Sequence, residues 1–340
     1  MKEYITIKDL ADQLHLSVGT VSKAFNPKYK DISDRTRQKI LEAARKMGYV
    51  PNPFAQKLLK KKTLNIGIIV PEFSHSYFSE VIFSAQEKLL ENDYQTLIMS
   101  SHESSELERK NIETLVNHMV DGLIISLCNG SLNHEYINDV IESGIPIVQF
   151  NRVSKKVNSP KVEFNDYKWA VFGTEHLISQ GCQNLIHLAL PRHLPLGHQR
   201  ILGFKKALEK HRIAHKDHQV IEAGITVQDG EEAMSRYLEN HGCPDGILAA
   251  GDPLAIGAMK ILKRKGIAIP EKVKVMGFTE SAMALVVEPE LSSISQPTDQ
   301  IGHLISKFLL DQIAGIDKSN EHYLFDGKLN IRESTSCTGQ

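Results

Sequence analysis

The stretch LSVGTVSKAFN, residues 16–26, decides how the first part of the chain is read. It has the polar cap and apolar spacing of a helix, yet its first turn carries nothing long enough to fill a core. Gly19 costs a helix about 1 kcal/mol relative to alanine, which makes sense if the backbone here must approach another surface. Working outward, Thr6 can cap a helix from about Ile7 to Leu14, with Asp9 favouring its positive end and Ile7, Leu10, Ala11 and Leu14 forming one apolar stripe. Ser17 caps a second helix through Phe25, whose Val18, Val21, Ala24 and Phe25 can close on the first. Ser33 caps a third, Asp34 to Met47, which Gly48 stops. Three short helices, the first two joined by a tight turn, describe an all-α helix-turn-helix unit. In such a unit the second helix enters the major groove N-terminus first, where small leading residues permit close approach. Ser17, Thr20 and Ser22 offer hydroxyls to phosphate oxygens, Lys23 reaches a guanine edge or a phosphate, and Val18 can touch a thymine methyl. Taken singly, Ser17 reads equally well as a mere cap and Val18 as core.

Charge supports the same reading. The 340 residues carry a net charge of -1, but residues 1–62 hold 14 Lys and Arg against 6 Asp and Glu, leaving 26 against 35 in the remainder. A basic head on an acidic body points to a polyanion partner. A hydrophobic fraction of 41% with 24% charged residues excludes bulk disorder. The N-terminus lacks the apolar core of a signal peptide and no run approaches a membrane span, so a cytoplasmic, nucleoid-associated location without membrane contact is expected. The cysteines at 128, 182, 243 and 337 have no CxxC spacing and read as reduced thiols.

Beyond Leu64 the pattern changes. NIGIIV, YQTLIMS, GLIIS, IPIVQF, NLIHLAL, GILAA and VKVMGF are apolar runs of strand length, separated by helical stretches such as Tyr77 to Glu91, Glu106 to His118, Trp169 to Gln180 and Pro253 to Lys265. This alternation predicts parallel α/β sheets covered on both faces, and so many strands call for two sheets with a cleft between them. Ligands of such sheets bind beyond strand C-termini, so the loops after Val70, Ile125 (beginning at Ser126), Phe150, Leu188, Ala250 and Phe278 are the ones to inspect. His211, His215 and His218 straddle a helix end and a loop, a poor arrangement for a metal. No GxxxxGK, GxSxG or HExxH occurs, so neither an enzyme, a metal nor a cofactor is expected.

The segments TIKDLADQLHLSVGTVSKAFN and ISDRTRQKILEAARKMGYVPNPFAQKLLKKKT resemble the head and hinge of the lactose-repressor family of bacterial transcription regulators, and the resemblance runs along essentially the whole chain. It implies that Thr6, Ser17, Val18, Gly19, Thr20, Ser22, Lys23 and Asn26 lie on the DNA-facing side. It also implies that NPFAQKLL is a hinge helix in the minor groove, with Leu58 as a wedge and Ala55 allowing close helix pairing. The family often has large polar side chains where this chain has Val18 and Gly19, which leaves Lys23 as the main base reader. For the body it implies a bilobal, type I periplasmic-binding-protein-like effector domain: a head at 1–50, a hinge at 51–63 and a body at 64–340. Lobe 1 would comprise about 64–163 and 292–325, and lobe 2 about 164–291 and 326–336, with crossovers near 163, 292 and 325.

The same resemblance places His75, Tyr77, Phe78, Ser126, Asn151, Arg200, Gly251, Asp252 and Thr279 at an effector site. Gly251 and Thr279 stand where asparagine and aspartate are frequent, so side-chain acceptors for vicinal hydroxyls are fewer. An unpaired Arg200 would suit a carboxylate or phosphate; a salt bridge there would be structural. A carbohydrate or sugar derivative is the expected effector, and a pseudo-palindromic double-stranded operator read by a homodimer is the expected partner. Ser79 to Glu91 and Ala282 to Val287 are the expected dimer contacts. The rival from another class is a solute receptor or a carbohydrate-processing enzyme on the same bilobal fold, which would need export or converging reactive groups.

Overall fold

The computed structural model describes residues 5–25, 29, 31–50, 62–73, 76–192 and 194–336. The chain divides into two compact units, Met1–Thr63 and Leu64–Gln340.

The first unit holds three helices, α1 (Ile7–Leu14), α2 (Val18–Ala24) and α3 (Asp34–Met47). Thr6, Ser17 and Ser33 each accept a backbone N–H from the first turn they cap, and Gly48 closes α3 at φ 71°. Leu10, Ala11, Val21, Ala24, Ile40 and Ala44 form the core. Arg37 on α3 donates to the Ala24 carbonyl at 3.2 Å, tying the end of α2 down. Val18 is not part of this core. It is 43% exposed, because only Val21 and Ala24 of α2 turn inward. The expected hinge helix, with Ala55 and Leu58, lies outside the described residues.

The second unit contains two six-stranded sheets. The first is built from β1 (Asn65–Val70), β2 (Gln95–Ser100), β3 (Gly122–Ile125), β4 (Ile147–Phe150), β5 (Lys161–Phe164) and β11 (His322–Phe325), in the order β11-β5-β4-β3-β1-β2. Every pairing in it is parallel. The second is built from β6 (Leu185–Ala189), β7 (Val220–Glu222), β8 (Gly246–Ala249), β9 (Lys274–Phe278), β10 (Ser292–Ser295) and β12 (Lys328–Asn330), in the order β12-β10-β9-β8-β6-β7. Only β12 runs antiparallel to its neighbour.

The helices follow from the same patterning. α4 (Ser76–Leu90) packs on α11 (Thr298–Ile313) beside the first sheet, with α5 (Ser105–Asn117) and α6 (His134–Glu142) also in that lobe. In the second lobe α7 (Asp166–Ser179) packs on α8 (Pro195–Lys210), and α9 (Val227–His241) on α10 (Asp252–Arg264). Burial of β-branched and leucine side chains on both sheet faces drives this layering. Among the described residues no helix is long and apolar enough to cross a membrane.

The chain passes between the sheets at residues 164–166, 295–298 and 325–328. The crossover expected near 292 is therefore displaced. Ser292, Ser293 and Ile294 pair with Met276, Gly277 and Phe278, so this strand belongs to the second lobe, and the crossing comes after Ser295. The three crossings meet at Gly327. A Cβ there would lie 2.5 Å from the Ser295 carbonyl oxygen and 2.8 Å from the Phe164 ring. Trp169 and Lys168, just past the first crossing, donate to Asp326 at 3.1 and 2.8 Å, which binds the first crossing to the third.

Candidate functional site

Two regions carry the residues singled out from the sequence. In the head, the leading turn of α2 is turned outward. Ser17 Oγ accepts the Thr20 N–H at 3.0 Å and lies 2.8 Å from Thr20 Oγ1, so the cap and the hydroxyl pair are one device. Thr6 is likewise held, its hydroxyl and backbone N–H both donating to Asp9 at 2.7 Å, and these bonds keep the Asp9 carboxyl below its usual range. A Cβ built on Gly19 meets only Ser17 Oγ, at 3.7 Å. The protein's own packing therefore does not require glycine at this position. Val18 and Gly19 are exposed, and Thr20, Ser22 and Lys23 half-buried. Lys23 Nζ lies 2.6 Å from Asp31 and 5.7 Å from the Tyr29 ring centroid. The hydrogen bond to Asp31 raises the Lys23 ammonium above its ordinary value and lowers the carboxyl. Asn26 lies outside the described residues.

In the body, a cavity of about 240 Å³ opens at the C-terminal ends of the strands, lined by residues of both lobes. Tyr77, Phe78, Asn151, Arg200, Gly251 and Thr279 all line it. The first turn of α4 carries Tyr77 and Phe78, with Phe78 set edge-on to Phe150 at 6.1 Å. Burial pushes the Tyr77 hydroxyl far above the ordinary phenol range. Asn151 and Thr279, each just past a strand, adopt φ of 58° and 60°, the left-handed conformation that lifts a residue out of a strand end. Gln296 Nε2 donates to Thr279 Oγ1 at 3.1 Å.

Three expectations need correction or qualification. Arg200 is not unpaired. Its guanidinium lies 2.7 Å from Asp166, donates to the Ala250 carbonyl and stacks 3.8 Å from the Phe278 ring centroid, and the Arg200 and Asp166 side chains are only 5% and 11% exposed. Asp252 does not line the cavity. It is fully buried at the first position of α10, accepting Ser293 Oγ at 2.6 Å and the Ser281 N–H at 2.8 Å, and burial pushes its carboxyl up to about 7. Ser126 is buried at the end of β3 and also stays off the lining, its Oγ without a hydrogen-bond partner. His75 lies outside the described residues.

Several lining residues were missed in the sequence. Arg152 follows Asn151 in the QFNR segment and pairs with Glu103 at 2.6 Å, leaving its buried Nε without a partner. Ser281 and Gln296 also line the cavity, as do the leucines at 190, 194, 196 and 254. The alternation of charge and apolar residues in PRHLPL hid the leucine pair on either side of Pro195. Of the histidine trio, His211 sits 3.4 Å from Glu175 while His218 stacks on His241 at 4.3 Å. Among the described residues no three His, Cys, Asp or Glu side chains gather as a metal would need.

Comparison with known proteins places this geometry. Residues 6–52 match the bacterial regulatory proteins of the lacI family, and residues 174–335 match the periplasmic binding protein-like domain. The chain is 29% identical over 331 residues to the ribose operon repressor of Halalkalibacterium halodurans, covering 97% of each chain. It is 30% identical to the Escherichia coli transcriptional repressor ascG, with 79% of this chain and 98% of that one covered at a TM-score of 0.70. A LacI family transcriptional regulator from Enterococcus faecium with bound ribose is 27% identical, with 80% and 98% covered at a TM-score of 0.70. Helix-turn-helix head, two parallel α/β lobes and whole-chain similarity agree: the chain belongs to the lacI family of bacterial regulatory proteins.

Proposed function

We propose that this chain is a sequence-specific transcriptional repressor whose affinity for operator DNA is set by a small molecule bound in the body's cleft. The observation that carries the reading is the leading turn of α2, where Ser17, Val18, Gly19 and Thr20 form an outward surface of small groups that the head's own core does not use. Such a turn can approach base edges and phosphates, with Ser22, Lys23 and Asn26 following it along the groove and Thr6 holding α1 against the backbone. Ala55 and Leu58 serve as the minor-groove elements of the connecting segment. The working division is a head at 1–50, a connector at 51–63 and the body beyond.

Two copies read a pseudo-palindromic site, since paired heads raise each other's effective concentration. Phe83, 63% exposed, and the exposed Leu90 on α4, with the exposed Leu285 and Val286, supply apolar surface for a homodimer. The effector belongs to the sugars and their derivatives, in keeping with the ribose operon repressor and the ribose-bound regulator among its relatives. It occupies the cavity lined by Tyr77, Phe78, Asn151, Arg200, Gly251 and Thr279, and shifts one lobe against the other by its differential affinity for two lobe arrangements. The test is binding of the full chain to duplex DNA from beside its own gene against random competitor at moderate salt, with and without sugars. Absence of preference for any duplex overturns the reading.

A further inference from the structure

Thr279 stands in a conformation that its side chain resists. Its φ is 60°, and a β-branched residue in the left-handed region is a steric outlier that persists only where its surroundings impose it. Asn151, at φ 58° in the first lobe, has a side chain that tolerates the same conformation and needs no such enforcement.

Thr279, Glu280 and Ser281 follow β9 in sequence, and each is held by a different element. Thr279 Oγ1 accepts Gln296 Nε2 at 3.1 Å from the crossing at 295–298. The Glu280 carboxylate accepts Asn330 Nδ2 at 2.5 Å and pairs with Arg332, from β12 and the segment after it, while its backbone N–H donates to the Ile294 carbonyl at 3.1 Å. The Ser281 N–H donates to Asp252 at 2.8 Å.

Strand register explains how these groups meet. In the antiparallel pair of β10 and β12, Ser293 lies opposite Asn330 and Ser295 opposite Lys328, so Ser293, Ser295 and Asn330 share one face. From that face Asn330 Nδ2 also reaches Ser295 Oγ at 3.2 Å, and Ser293 reaches Asp252. A ring therefore closes. It runs from Thr279 to Gln296 by a hydrogen bond, to Ser295 along the chain, to Asn330 and on to Glu280 by hydrogen bonds, and back to Thr279 along the chain. Thr279 and Gln296 line the cleft; Ser295, Asn330 and Glu280 do not.

We propose that Glu280 and Asn330 are positioning residues: they hold Thr279 in its left-handed conformation and, through Ser295, keep Gln296 on its hydroxyl, so that the cleft loop and the crossing at 295–298 behave as one piece. On the reading that the cleft takes the effector, a polar wall of its second lobe is thereby fixed to a passage that joins the lobes.

Hydrogen exchange and thermal unfolding of the full, ligand-free chain test this. Thr279→Asn keeps a side-chain oxygen for Gln296 and relieves the backbone, so it should raise the melting temperature of the body by about 2 °C or more. Asn330→Ala should speed exchange of the Glu280 and Ser281 amides about tenfold or more, and that of the Thr298 amide in the crossing with them. The double variant is decisive. Adding Thr279→Asn to Asn330→Ala should return the loop amides to within about threefold of the natural chain, although Asn330 bonds to Glu280 and Ser295 and not to Thr279. Gln296→Met opens the ring at its other junction and should show the same acceleration and the same rescue, so it carries the test if Asn330→Ala does not fold. Unchanged loop exchange, acceleration confined to the loop, acceleration that Thr279→Asn does not relieve, or no gain in melting temperature from Thr279→Asn overturns the inference. Each of these results leaves the cleft reading standing, because no ligand enters the measurement.

Discussion

The ammonium of Lys23 is 2.6 Å from the carboxylate of Asp31, eight positions further along the chain, so the cation proposed to read a base is held by an acid of its own head. Both side chains are about half exposed, and the pair can be exchanged for a contact with DNA. Asp31→Asn should therefore strengthen binding to random duplex and steepen its salt dependence by about one counterion. Lys23→Ala should do the reverse and relax the preference at one or two base pairs. Fluorescence anisotropy across a salt series measures both, and a slope unchanged in Asp31→Asn would show that the freed lysine does not reach the phosphates.

Gly19→Ala separates stability from recognition. Space around Gly19 is open and its backbone helical, so alanine should increase the stability of α2 by about 0.5–1 kcal/mol. If α2 enters the groove as proposed, the same methyl should weaken operator binding severalfold. Hydrogen exchange of α2 amides and operator titration on the same protein give the two readings.

The Arg200–Asp166 pair is a structural strut of the second lobe. Burial raises the Asp166 carboxyl while Arg200 opposes the rise, so removing the guanidinium leaves an uncompensated buried acid. Arg200→Ala should cost about 3–5 kcal/mol of body stability. Urea denaturation followed by the single tryptophan, Trp169 on α7, reports it. A loss below 1 kcal/mol would mean that water replaces the arginine at little cost, by roughly the measure of an exposed pair.

Asp252 should leave a signature in pH. Burial lifts its carboxyl to about 7 against the hydrogen bonds from Ser293 and Ser281, whereas an unfolded aspartate titrates near 3.9. Between those values the folded chain holds about one proton more than the unfolded chain, so this group's contribution to stability is fully present below about pH 4 and is lost as pH rises toward 7. Relative to Asp252→Asn, the natural chain should lose about 1.4 kcal/mol per pH unit across that window. Parallel denaturation curves from pH 5 to 7.5 decide it, and identical slopes would show that the carboxyl ionises normally.

The head was almost wholly legible because each of its helices announces itself locally. Thr6, Ser17 and Ser33 cap where their side chains had to, Gly48 stops α3 in the left-handed conformation, and α1 and α3 end at the residues the spacing indicated. Val18 was ambiguous because periodicity alone does not say how wide the buried stripe of a seven-residue helix is. In the body the long apolar strands declared themselves. The SSIS strand did not: its buried serines are satisfied by long-range partners, Ser293 by Asp252 and Ser292 by Ser334 and Thr335. Arg152 was unreadable for the same reason, since its meaning depends on Glu103, forty-nine residues away.

Gly327, packed against Ser295 and Phe164, gives the body a mechanical character of its own. Three covalent straps pass between the halves, and at this point they are packed around a single hydrogen atom, so that none has slack to shift alone. A side chain added at that point would therefore push on two of the passages at once, so the spacing of the halves is set where the chain has least room to spare.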